Sequence, residues 1–157
     1  MKKVNLISTA LLIGLISVTT FTSCKVEGCM DLAADNYDIE AEKDDGSCMY
    51  PVISFNPAGN DGDVTGGGGS ATSTFDWTNS QARAELNMDI TAATGGSFQI
   101  VVDDADGIEV INETLTVGVG DDSKNVCSAS GTAGTWTVTV TVTNFDGDAS
   151  YSLSQGC

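Results

Sequence analysis

Polar and apolar residues alternate through much of the second half of the chain. Thr135 to Thr143 interleaves threonine with Trp136, Val138, Val140 and Val142, so the large apolar side chains share one face and the hydroxyls the other. Ala84, Leu86, Met88 and Ile90 repeat the pattern, as do Phe98, Ile100 and Val102, then Leu115, Val117 and Val119, and finally Tyr151 and Leu153. The alternation predicts at least five short strands, with turns at Thr94-Gly95-Gly96, Asp106-Gly107 and Asp146-Gly147. Strands of this kind bury their apolar faces against one another, which predicts an all-β antiparallel β-sandwich over residues 74–157. A parallel sheet would need helical crossovers, and no apolar run at helical spacing is long enough to supply them.

The front of the chain follows a different rule. Lys2 and Lys3 precede a mainly apolar run from Leu6 to Val18, followed by the small polar stretch Thr19 to Ser23 and then Cys24. Positive, apolar and small-residue regions in that order predict a secretory signal over residues 1–23. The run is shorter than the ~20 residues a helix needs to cross the hydrocarbon core, so export and removal are expected rather than permanent insertion.

Phe21-Thr22-Ser23-Cys24 resembles the lipobox of bacterial lipoproteins, with Phe21 where leucine is usual. The resemblance implies that the Cys24 thiol receives a diacylglycerol and becomes the first mature residue, an anchor in the membrane. Lys25 and Glu27 leave room for a charged surface-export signal, so the expected location is the bacterial cell envelope, as an outer-membrane lipoprotein at the cell surface. The cysteine count agrees: Cys24, Cys29, Cys48, Cys127 and Cys157 are five, and an odd thiol in an exported protein asks for an explanation. The remaining four allow three connectivities; Cys29 with Cys48 and Cys127 with Cys157 are favoured because each pair lies inside its own compositional segment.

Residues 24–55 form a short, acidic, cysteine-bounded segment, and residues 56–73, NPAGNDGDVTGGGGSATS, carry almost no large apolar side chain. The second stretch reads as a flexible linker. The first resembles a short repeat of exported bacterial proteins, matched at Cys29, Asp31, Ala34, Asn36, Tyr37, Ala41, Asp44, Asp45, Gly46, Ser47, Cys48 and Tyr50. A module this small needs a disulfide or a metal to fold. Asp31, Asp35, Asn36, Asp38, Asp44 and Asp45 offer hard oxygen donors within a short span, which suits Ca2+ as a second staple.

Charge narrows the partners. The formal net charge is −16, all 22 acidic residues follow Cys24, and only Lys25, Lys43, Arg83 and Lys124 are cationic there. Nucleic acid is excluded as a partner. There is no histidine, which removes histidine-based triads and zinc-hydrolase sites, and no Gly-x-Ser-x-Gly elbow is present. A binding protein is therefore expected rather than an enzyme. Among the aromatics Trp136 is in phase with the core valines, which leaves Trp77 as the freer candidate for stacking on a sugar.

Gly131-Thr132-Ala133-Gly134-Thr135-Trp136-Thr137-Val138, with Asn144-Phe145-Asp146-Gly147 and Tyr151-Ser152-Leu153, resembles the closing strands of the bacterial pre-peptidase carboxyl-terminal domains. That resemblance implies a jelly-roll-like, non-catalytic accessory of surface proteins. Adhesion, or service to an envelope protein complex, is the first functional expectation; capture of an extracellular glycan is the second.

Overall fold

The computed structural model describes residues 25–157; Cys24 and the leader before it lie outside them. Within that span the chain is all-β. Strands β1 (Glu27–Gly28) and β2 (Lys43–Asp44) pair in parallel inside the small amino-terminal module. The larger unit is built from β3 (Val52–Phe55), β4 (Asp61–Asn79), β5 (Ala84–Asp103), β6 (Glu109–Val117), β7 (Gly120–Cys127) and β8 (Gly134–Gln155), every pairing antiparallel.

Three of these strands are about twice the expected length, because the anticipated turns at Gly95-Gly96 and Asp146-Gly147 are bends inside β5 and β8. The pairing slips between Gly67 and Ala71 of β4 and between Ala92 and Ser97 of β5, both opposite Val142 to Gly147 of β8. The slips fall on one line across three strands. Along that crease each long strand passes from one sheet to the other, a device by which bulges make the corners of a sandwich. On one side lie β3, the first half of β4, the second half of β8, the first half of β5, and β7; on the other lie the remaining halves of β4, β8 and β5, with β6.

Both halves bury their apolar faces in one cluster. Leu86, Met88, Ile90, Ala149 and Leu153 come from the first sheet; Phe98, Ile100, Val102, Val138, Val140 and Val142 come from the second. The alternation read from the sequence is therefore the true inside-outside pattern, apart from Val119, which leaves the strand register and is exposed. Complete burial of one such side chain contributes about 1.5–3 kcal/mol.

The stretch 56–73 is not a flexible linker. From Asp61 onward it is β4, paired with β3 on one side and β8 on the other, so the sheet begins at Val52 rather than near residue 74. Two of its glycines stand where neighbours occupy the space of a side chain: a Cβ on Gly66 would lie 2.6 Å from the Phe145 carbonyl oxygen, and one on Gly69 would lie 2.5 Å from that of Ala33. A glycine run can mark close backbone approach as well as freedom, and here it marks approach.

Gly69 is also where the module docks. Its N–H donates to Asp35 Oδ1 at 2.8 Å, and the Ser70 N–H donates to the Ala33 carbonyl at 2.8 Å. The disulfides are Cys29–Cys48 inside the module and Cys127–Cys157, which ties the carboxyl terminus to the end of β7. Closing a loop of the second kind is worth about 3–4 kcal/mol in the chain-entropy view.

Candidate binding site

The six oxygen donors singled out for calcium are each committed elsewhere. Asp31 accepts the Ala33 N–H through Oδ1 at 2.9 Å and the Tyr50 hydroxyl through Oδ2 at 2.7 Å. Those two donors, Ala33 first, hold the Asp31 carboxyl below the usual range, and the same contact raises the Tyr50 hydroxyl. Asp35 serves the docking bond to Gly69, and Asn36 bridges Ser47 and Met49. Asp38, Asp44 and Asp45 accept the N–H two residues onward, from Glu40, Gly46 and Ser47, as turn-forming aspartates do. Among the described residues no three histidine, cysteine, aspartate or glutamate side chains gather into a group able to hold a metal ion. In this structure these side chains close turns instead of converging on one point.

The outer face of the first sheet is strongly acidic and ordered. Across β4, β8, β5 and β7 the paired rows run Thr65, Asp148, Thr91, Asp121, and next to it Asp63, Ser150, Asp89, Ser123. Acids alternate with hydroxyls, so no two carboxylates lie directly opposite, which limits like-charge cost across the strands. On the second sheet the outward threonines of β8 form a similar ladder, with Thr141 and Thr139 meeting Thr72 and Thr74 at 3.1 and 3.2 Å.

A cleft of about 530 Å³ opens between the two sheets on the β4 side. Its walls are the turn before β4, with Pro57, Ala58 and Asn60; the end of β4, with Asp76, Trp77 and Thr78; and the end of β8, with Leu153, Ser154 and Gln155. The walls are pinned on both sides. Gly59, with φ 72°, lets the turn lie against β4 where a Cβ would fall 2.3 Å from the Asp76 carbonyl oxygen. The Leu153 N–H donates to the Asn60 carbonyl at 2.6 Å, and Gln155 spans to Ser80 and to the Thr78 carbonyl. Loop, strand end and terminus thus hold the cleft open without help from a ligand.

Trp77 is not the exposed stacking platform that its sequence context suggested. It is 4% exposed, packed edge to face on Trp136 with ring centroids 5.8 Å apart. Tyr151, another aromatic, is also in the core: its hydroxyl lacks any partner, and burial, with Asp61 and Asp63 nearby, raises its pKa. From that buried position Trp77 still forms part of the cleft wall. Trp136 donates its own N–H to the Thr132 carbonyl at 2.7 Å, whereas Trp77 Nε1 has no partner among the described residues. The side chains of Asp76, Thr78 and Ser154 likewise make no hydrogen bond within the described residues. The sequence pointed to Trp77 but missed these three, which look like ordinary outward strand positions until the 56–60 turn is seen beside them.

No family model matches the chain, and no curated protein matches it. Similar solved structures exist. TmCBM61 in complex with beta-1,4-galactotriose is 11% identical over 62% of this chain and 66% of its own, with a TM-score of 0.40. The family 11 carbohydrate-binding module of the Clostridium thermocellum cellulosomal cellulase Lic26A-Cel5E is 14% identical over 68% of this chain and 81% of its own, with a TM-score of 0.37. The Arthrobacter globiformis T6 isomalto-dextranase complexed with panose is 15% identical over 66% of this chain, with a TM-score of 0.39, and the match spans 20% of that enzyme. The chain thus covers less than two thirds of TmCBM61 and about a fifth of the dextranase.

Proposed function

We propose that the chain is an exported lipoprotein, held to the cell envelope through Cys24, whose sandwich is a non-catalytic binding module for a neutral, hydroxyl-rich ligand, a glycan. The observation that carries the ligand class is a preformed polar cleft whose walls include Trp77 and the uncommitted Asp76, Thr78 and Ser154. A carboxylate only accepts, and hydroxyls both donate and accept. A sugar hydroxyl meets both demands. The volume falls in the range of ordinary ligand sites. A formal net charge of −16 disfavours anionic ligands.

A single carboxylate lines the cleft, whereas acid–base hydrolysis of a glycoside needs a pair. That set supports reading the cleft as a binding site. The anchor is supported by sulfur bookkeeping, since the two disulfides use every cysteine except Cys24.

The test is a glycan array probed with the folded chain and with a Thr78→Val, Ser154→Ala double variant. Specific glycan signals that fall at least tenfold in the variant support the reading. Retention of an envelope protein with no glycan signal would replace it with adhesion or service to an envelope complex.

A further inference from the structure

We infer that the β1–β2 end of the amino-terminal module rests on the bilayer, with Val26 and Ile39 in the headgroup layer. The inference depends on the anchoring of Cys24 proposed above. Hydrogen-bonded structure begins two residues later: the Val26 carbonyl accepts the N–H groups of Glu42 and Lys43 at 2.8 and 3.2 Å, and β1 starts at Glu27. Three residue steps of at most ~3.6 Å each leave Glu27 within about 11 Å of the anchored cysteine. The polar layer of a bilayer leaflet is itself roughly 5–7 Å deep. A fold tethered this closely has no room for a free stalk, and the end nearest the tether must meet the membrane.

The side chains there suit that contact. Of the eleven large apolar residues exposed among the described residues, nine lie between Val26 and Phe55, although this segment is the most acidic-looking part of the chain. Ile39 is 82% exposed and sits in the turn from Asp38 to Ala41, closed by the Ala41 N–H on the Asp38 carbonyl. That turn packs on β1, since a Cβ on Gly28 would touch Asp38 and Ala41. Val26, also exposed, lies just before β1, and its carbonyl bonds Glu42 and Lys43, just past that turn. Exposed aliphatic side chains clustered beside a lipid anchor are what an interfacial contact uses.

Charge sets the lipid class. Lys25 and Lys43, two of the four cations that follow Cys24, lie at this end, with Lys43 paired to Glu27 at 2.6 Å. Glu40 and Glu42 are also present, so the surface fits zwitterionic headgroups and not an anionic leaflet.

The experiment places a fluorescent reporter on the full-length lipidated protein in phosphatidylcholine vesicles carrying brominated acyl chains. Ile39→Trp is compared with Val119→Trp, a position equally exposed at 82% but in the sandwich. Both sites are open enough to take the ring without repacking, and the native tryptophans are buried. The expected result is at least twofold quenching of the Ile39→Trp signal with the Val119→Trp signal unchanged. Equal, negligible quenching of both, in protein whose mass confirms a diacylglyceryl Cys24, would overturn the inference. A mass without the lipid would instead overturn the anchor and the inference with it.

Discussion

Trp77 and Trp136 meet edge to face at 5.8 Å across the β4–β8 ladder, yet among the described residues only the Trp136 indole N–H has a protein acceptor. Two like residues paired in register thus divide their roles: one closes the loop at Thr132 and the other packs beside it as part of the cleft wall. Trp136→Phe removes a hydrogen bond and buried volume, and should cost about 2–4 kcal/mol. Trp77→Phe keeps an aromatic ring in the core and should cost about 1–2 kcal/mol. Urea denaturation of the two variants checks the order; a larger loss at Trp77 would contradict the assignment.

Asp104, 6% exposed, ties the 104–108 turn to the loop before β8. It accepts the Thr132 N–H at 2.7 Å and the Asp106 and Ile108 N–H groups at 2.9 Å each, and these bonds, Thr132 first, hold its carboxyl below the usual range. A carboxyl depressed in the folded state adds stability that is complete above its unfolded pKa, ~3.9, and is lost as pH falls through the folded value. Melting curves from pH 7 to pH 2 should therefore fall more steeply for the native chain than for Asp104→Asn, which cannot titrate there. Parallel curves would rule out this role.

Docking of the module depends on the missing side chain at Gly69. Gly69→Ala should separate Ala33 and Asp35 from β4, raising hydrogen exchange at residues 33–35 several-fold and lowering the melting temperature. Gly118→Ala, whose Cβ would meet nothing within 4 Å, is the matched control and should change neither.

Much of the sandwich was legible, and the reason is physical. Alternation reports which side of a strand is buried, and Leu86, Met88 and Ile90 obey it at zero exposure. It cannot report whether a glycine pair ends a strand or bends it, so β5 and β8 were each expected as two pieces. The run Gly66 to Gly69 carried no visible difference between a loose tether and a site of close approach; only Phe145 and Ala33, distant in sequence, distinguish them. β7 escaped because Gly120 to Cys127 has no apolar alternation, as befits an exposed edge strand. The cleft had one visible member, Trp77, since Asp76, Thr78 and Ser154 become a site only through tertiary contact.

The acidic sheet face carries carboxylates at Asp63, Asp89, Asp121 and Asp148, with no cation in the rows between them. Self-repulsion of this kind is relieved by screening, because the Debye length shrinks from about 30 Å at 0.01 M to about 3 Å at 1 M salt. Raising sodium chloride over that range should raise the melting temperature by a few degrees. Calcium chloride matched in ionic strength should do no more, since no donor set converges on a metal among the described residues. A larger calcium-specific rise, reversed by chelator, would restore calcium as a staple of the module.

The most direct measurement follows the two indole N–H resonances by ¹H–¹⁵N NMR while the strongest glycan from the array is added to labelled protein. Site assignment comes from Trp77→Phe. The expected result is a saturable shift of the Trp77 indole signal with the Trp136 signal unmoved. A bound glycan that leaves the Trp77 indole where it was would contradict the cleft as the binding site.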